Sequence, residues 1–423
     1  MRAHRDNDRR VSADRKRFDR GPLPGRGSLR LGQIAGIDIA VDWSLLIIFW
    51  LIFSALAIGV FPAWHPEWNV LQSALTALAA ALLFFGSVLL HELSHALIGR
   101  VHGVTIGRIT LFMFGGMAHM ENEPPSWRAE LYMAIVGPLT SLAIGISCLW
   151  LMAIIAGPLD IDPQQPQAAF ARLGPLTTLL AWLGPVNIFL GIFNLVPGFP
   201  MDGGRVLRAI IWAITGDLRR ATRAASRAGQ GFAFLLMSTG LLMVLGLRVP
   251  LLGGGFLNGL WLALIGWFLN NAAVMSYRQL LVRESLEHVA VTRLMQSQFT
   301  RVDPQMRVST LVDEKLMPSG QRTFPVERNG ELLGLVSLAD LRKRPREAWA
   351  DSTVAEIMTP TKSLVCLTPQ QDAMEALAYI SQRNLNQLPV VEYGSLIGLV
   401  RREDILKWLA VHGEPAAGGN SRI

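Results

Sequence analysis

The sequence predicts a polytopic α-helical membrane protein of about six spans, followed by a smaller cytosolic α+β module. Three observations carry this reading. The 423 residues are 51% hydrophobic and only 17% charged, too apolar for an ordinary soluble chain. Six stretches reach about the 20 residues needed to cross a hydrocarbon core of about 30 Å. After the last of them the composition becomes mixed and an internal repeat begins.

Residues 1–32 are polar and Arg-rich with no apolar core, which predicts a disordered basic cytosolic tail rather than a cleavable signal. The apolar stretches lie at about 39–60, 71–100, 129–156, 176–196, 229–247 and 252–275. Arginine dominates the first 30 residues, Arg205 to Arg227 and the chain after Arg278, whereas the loops His65–Asn69 and Pro158–Pro175 carry almost none. With six spans these basic segments share one side. The positive-inside rule then puts both termini in the cytosol of a multi-pass cell-membrane protein. The net charge of +7 therefore reports topology and does not call for a nucleic-acid partner. Cys148 falls in a span and Cys366 in the C-terminal module, so no disulfide framework is expected.

Toward the end of the second stretch stands His91-Glu92-Leu93-Ser94-His95. On a helix this HExxH pattern sets two imidazoles four residues apart on one face, able to share a zinc ion, with a carboxylate beside them to take a proton from water. Ionisable groups in a span cost roughly 2.5 to 3.5 kcal/mol each, so three within five residues need a function or partners. A catalytic zinc commonly has three protein ligands, and the best third candidate is Asp202. It sits in Asn194-Leu195-Val196-Pro197-Gly198-Phe199-Pro200-Met201-Asp202-Gly203-Gly204, where prolines and glycines break the helix and let the backbone bend. The second and fourth spans run in the same direction, so both halves reach a similar depth near the cytosolic face.

Together these residues resemble the site-2 protease family of intramembrane zinc metalloproteases, peptidase family M50. HExxH is followed about a hundred residues later by NxxPxxxxDG, filled by Asn194, Pro197, Asp202 and Gly203, and Gly137-Pro138-Leu139 resembles a further family element. The resemblance covers residues 33–280. It implies that His91, His95 and Asp202 bind one zinc ion and that Glu92 is the catalytic carboxylate. Asn194 is a candidate for oxyanion stabilisation or for orienting Asp202. The implied activity is endopeptidase cleavage of a transmembrane segment near the cytosolic face, in regulated intramembrane proteolysis, with an anti-sigma factor or other membrane-held regulator as substrate.

Residues 104–118 are rich in β-branched and aromatic types and read as one or two strands. Gly115 and Gly116 would allow an extended substrate to approach a strand edge. His119 and Glu121 lie nearby and are left out of the site. Gly253-Gly254-Gly255 joins the last two spans, where Trp261 and Trp267 fit interfacial anchors or a lateral gate.

In the C-terminal module Phe324-Pro325-Val326 recurs as Leu388-Pro389-Val390, Gly334-Leu335-Val336 as Gly398-Leu399-Val400, and Asp340 as Asp404, all offset by 64 residues. A fixed long period means a duplicated unit. It resembles a tandem of CBS domains, residues 289–345 and 350–411, with a disordered tail at 412–423. The resemblance implies an adenine nucleotide ligand, contacted by Ser337, Asp340 and Asp404, and a homodimer through the CBS pair. The second copy departs from the pattern, with Arg401 where the first has Ser337. The alternative to a protease is a CBS-containing metal-ion transporter or channel, which should show a repeat among its spans; none is found in the sequence.

Overall fold

The computed structural model describes residues 28–113, 115–120, 122–157, 170–250 and 253–412. Most of the basic N-terminal tail, the final tail and Glu121 lie outside the described residues, as does the side chain of His119. The chain forms two compact units, 1–277 and 278–423.

The first unit opens with strands β1 (Ser28–Ile34) and β2 (Ile37–Asp42), then helix α1 (Ser44–Trp64), whose middle widens into a π-helical turn at Ala55–Val60. Here the sequence reading needs correction. The apolar run from residue 39 is not all helix, because Ile37 and Ile39 alternate with Asp38 and bury on one side, a period of two that suits a strand. Helix α2 (Val70–Val101) follows, its start capped by Asn69, which accepts from the Gln72 amide at 2.8 Å. Where one or two strands were expected over 104–118, there are two, β3 (Ile106–Phe112) and β4 (Gly115–Met120). The sheet order is β1-β2-β3-β4, with β2 and β3 parallel and the other pairs antiparallel, so β4 is an edge. Ile37, Ile39, Ile106, Ile109 and Leu111 turn from this sheet onto Val88, Leu93, Ala96 and Met133, which fastens the sheet over the end of α2 that carries His91 and His95.

Helix α3 (Trp127–Ala156) is capped by Ser126 and packs on α2 and on α4 (Pro175–Asn194). The segment after α4 was expected to be irregular, yet irregularity is confined to 195–201, and Asp202 opens a further helix, α5 (Asp202–Thr215), closed by Gly216 at φ 69°. The glycines around Asp202 serve close packing rather than a left-handed backbone. A Cβ on Gly198 would lie 2.4 Å from the Gly229 nitrogen, one on Gly204 2.4 Å from the Phe199 nitrogen, and none of Gly198, Gly203 and Gly204 has positive φ. Helices α6 (Leu218–Val244) and α7 (Phe256–Leu286) complete the series; α6 begins earlier than its apolar half because Asp217 caps it, accepting from the Arg220 amide. Six of these helices, α1 to α4, α6 and α7, are long and apolar enough to cross a membrane.

In the second unit the repeat is exact in register. β5 (Thr323–Arg328) pairs antiparallel with β6 (Glu331–Ser337), and β8 (Gln387–Glu392) with β9 (Ser395–Arg401), Thr323 facing Ser337 as Gln387 faces Arg401. Both hairpins turn through two positive-φ residues, Asn329-Gly330 and Tyr393-Gly394, the geometry that matches strand twist. A two-residue strand, β7 (Thr359–Pro360), adds to β6. Each copy has its own core, around Phe324 and Val326 or around Leu388 and Val390, and Leu332, Leu335, Leu396 and Leu399 pack between the copies. Cys148 and Cys366 are free.

Candidate metal centre

The repeat of 3.6 residues puts His91 and His95 on one face of α2, both buried. Asp202, the first residue of α5, comes to them from the other half of the sequence. Its Oδ2 lies 3.1 Å from His91 Nε2 and 3.2 Å from His95 Nε2, and the two imidazole nitrogens are 3.2 Å apart. Among the described residues this is the one group of three His, Cys, Asp or Glu side chains arranged to hold a metal ion.

The proton inventory makes that grouping informative. His95 Nδ1 lies 2.5 Å from the Met133 carbonyl oxygen, which can only accept, so Nδ1 carries the hydrogen and in the neutral ring Nε2 presents a lone pair. His91 Nδ1 lies 2.8 Å from Ser141 Oγ, leaving its Nε2 directed at the same point. A carboxylate oxygen and two imidazole nitrogens thus face one another, and with both rings neutral and carrying their hydrogen on Nδ1 the lone pairs converge on one point. The donor set of two His and one Asp suits zinc. Tetrahedral zinc with bonds of about 2.0–2.1 Å keeps its donors about 3.3–3.4 Å apart, close to the spacing found here, so the residues fit the ion.

Glu92 projects beside this triangle, and β4 lies against it. A Cβ built on Gly116 would fall 2.2 Å from Glu92 Cγ, and one on Gly137 only 2.1 Å from His95 Nε2 and 2.8 Å from His91 Nε2. These two glycines lie where a side chain would run into Glu92 or into the two imidazoles. Gly115, at φ 130°, supplies the start of β4. Asn194 ends α4, and among the described residues its side chain has no hydrogen-bond partner, so it does not orient Asp202 in this structure.

Sequence reasoning missed several residues around the centre. Ser141 and the Met133 carbonyl are such cases; Ser141 is fully buried but no spacing sets it apart from the other serines in spans. Arg208 on α5 is another. Its Nε donates to Glu130 Oε1 at 2.6 Å and its Nη2 to Glu123 Oε2 at 3.3 Å, while its guanidinium lies 5.5 Å over the Phe199 ring. Burial disfavours the Arg208 charge, but the Glu130 and Glu123 carboxylates outweigh it and hold the guanidinium above its ordinary value.

In the second unit Ser337 and Asp340 meet as a capping box, Ser337 Oγ donating to Asp340 Oδ2 at 2.7 Å, and Lys343 pairs with Asp340 Oδ1 at 2.8 Å. Asp404 is instead held by Arg401 through two side-chain bonds of 2.9 and 2.7 Å, which keeps the guanidinium above its ordinary value. The copies are alike in backbone and unlike at this corner.

Comparison with known proteins agrees with this picture. The family described as peptidase family M50 matches residues 79–167 and 152–238, and the CBS domain matches 291–347 and 354–411. Rip3 of Mycobacterium tuberculosis, assigned by name to the zinc metalloproteases, is 31% identical over 392 residues, 92% of this chain and 94% of its own. The zinc metalloprotease MJ0392 of Methanocaldococcus jannaschii is 29% identical over 384 residues, 91% of this chain and 96% of its own. The solved site-2 protease from Methanocaldococcus jannaschii is 31% identical and covers 59% of this chain and 95% of that one, with a TM-score of 0.38. Similarity that runs through both halves of the molecule makes this chain a multi-pass membrane protein of peptidase family M50, a zinc metalloprotease that carries tandem CBS domains.

Proposed function

We propose that His91, His95 and Asp202 hold one zinc ion and that Glu92 is the catalytic carboxylate of an endopeptidase cutting a transmembrane segment of a membrane protein. The observation that carries this is the meeting of three atoms able to ligate a metal at 3.1–3.2 Å with a carboxylate beside them. Zinc, when bound, supplies a Lewis acid and brings the pKa of water to about 7.

The chain's own residues do the rest. Glu92 accepts a proton from the attacking water and returns it to the leaving amine. Ser141 and the Met133 carbonyl keep both imidazoles turned with Nε2 inward. Asn194, with its amide uncommitted, donates to the oxyanion as the carbonyl becomes tetrahedral. The free edge of β4 binds the unwound substrate as an added strand, with Gly115 and Gly116 admitting its backbone close to Glu92.

The arginine-rich segments lie on the cytosolic side of the cell membrane, with both termini there, and cleavage falls near that face. Trp261 and Trp267, both exposed on α7, anchor or gate the lipid-facing side. The substrate is a membrane-held regulator such as an anti-sigma factor, cut in regulated intramembrane proteolysis. An adenine nucleotide binds the CBS pair through Ser337, Asp340 and Asp404, displacing the Lys343 and Arg401 contacts of the two aspartates, and a homodimer forms through the CBS domains.

The test is Glu92→Gln in the purified protein with a single-span test substrate. We expect one zinc per chain, as in the wild type, and a loss of cleavage of at least about a hundredfold. Retained cleavage by the zinc-loaded variant would sink the assignment of Glu92.

A further inference from the structure

We propose that one face of α3, made by Glu130, Met133, Gly137 and Ser141, is the frame that fixes all three metal donors, although α3 supplies none of them. This rests on the zinc reading given above. The four residues are spaced by three, four and four, which on a helix is a single stripe.

Each member meets a different part of the centre. Ser141 takes His91 Nδ1 at 2.8 Å, and the Met133 carbonyl takes His95 Nδ1 at 2.5 Å. Between them Gly137 lets both rings lie on the helix backbone, since its Cβ would collide with each Nε2. The third donor is reached at one remove. Glu130, fully buried, holds Arg208, six residues beyond Asp202 on α5 and roughly 9 Å along the same rigid helix. Arg208 also covers Phe199 in the segment that leads into Asp202. The clamp therefore sets both the direction of α5 and the bend that precedes it.

Stability alone does not call for such a clamp. The Glu130 carboxylate and the Arg208 guanidinium, both buried, lose solvation that apolar packing would not, and replacing a buried ion pair with apolar residues is often neutral or stabilising. An ion pair has direction, however, and at a centre whose donors must sit within a few tenths of an ångström direction is what counts. Glu130, Ser141 and Arg208 are thus positioning residues, acting through the ligands they hold.

The experiment uses the full-length protein in detergent and three variants: Ser141→Ala, the double variant Glu130→Met with Arg208→Met, and Glu130→Gln. Zinc affinity is read by competition with a chelator, ligand geometry by the visible absorption of the Co2+-substituted protein, and folding by melting of the metal-free form. Ser141→Ala and the double variant should each lose about 10–100-fold in zinc affinity and shift the Co2+ bands, with metal-free melting close to wild type. Glu130→Gln, which keeps the acceptor for Arg208, should lose less than the double variant. Wild-type zinc affinity in either Ser141→Ala or the double variant overturns the proposal, as does a loss accompanied by an equal fall in metal-free stability. A wild-type protein that binds no zinc would instead overturn the metal reading itself.

Discussion

At the scale of single residues the centre is defined as much by missing atoms as by ligands. Gly137 and Gly116 each stand where a methyl group would overlap a working side chain, one on the imidazoles and one on Glu92. The same substitution should therefore fail in two ways. Gly137→Ala displaces His95 and is expected to lower zinc affinity by at least about tenfold. Gly116→Ala pushes Glu92 aside and should leave zinc content unchanged while reducing kcat at least about tenfold. Zinc content and turnover measured on the two variants separate these outcomes. The meeting of His91, His95 and Asp202, with Glu92 beside them, was legible in the sequence because metal ligation restricts residue type and helix geometry restricts spacing. Ser141 and Glu130 were not, because a hydroxyl or carboxylate acting across a helix interface leaves no local pattern.

At the scale of elements, the long helices were legible because crossing lipid requires a length of apolar sequence, and the strands at 106–120 because β-branched and aromatic residues suit extended backbone. Two features escaped. The strand at Ile37–Asp42 is hidden in an apolar run, and α5 starts in a segment whose prolines and glycines read as loop. In each case tertiary contact decided the matter: pairing with β3 for the strand, and packing of Gly198 and Phe199 on α6 for the bend that lets α5 begin.

The other end of the bundle carries a testable element of its own. His65, fully buried after α1, shares a hydrogen bond of 2.7 Å with Thr178 of α4 and stacks on Trp68 at 3.9 Å. Burial lowers its pKa below the ordinary value, with Glu67 opposing. The unfolded chain then binds this proton more readily than the folded one, so its contribution to stability is complete above the unfolded pKa of about 6.5 and is lost as the pH falls through that value toward the depressed folded one. The melting temperature in detergent should drop between about pH 7.5 and 5.5, and less steeply in His65→Phe, which keeps the stack and removes the titration. Parallel curves for the two proteins would exclude His65 as the source.

At the scale of the whole molecule, two compact units with separate cores make a division of labour testable. Removing the chain after residue 286 should leave zinc binding and basal cleavage in place, since every residue of the metal centre lies in the first unit. In the full chain, cleavage of the test substrate should change at least about twofold on adding ATP or AMP, and Asp340→Ala should abolish that response. A rate indifferent to both nucleotides would argue against a sensing role for the CBS pair. The duplicated unit was legible in the sequence because Thr323–Ser337 and Gln387–Arg401 have the same register as well as similar sequence. The sequence could not reveal that Arg401 ties up Asp404, which depends on where one guanidinium points.

The closeness of Gly137 to both imidazoles has a consequence for how chains of this kind are sorted. A genome survey keyed to the two ligand motifs would count any bearer as a working protease. A relative with both motifs whole and an alanine at the position of Gly137 would pass that survey with its imidazoles displaced, so weakened metal centres in this family are to be sought also on a helix that contributes no ligand at all.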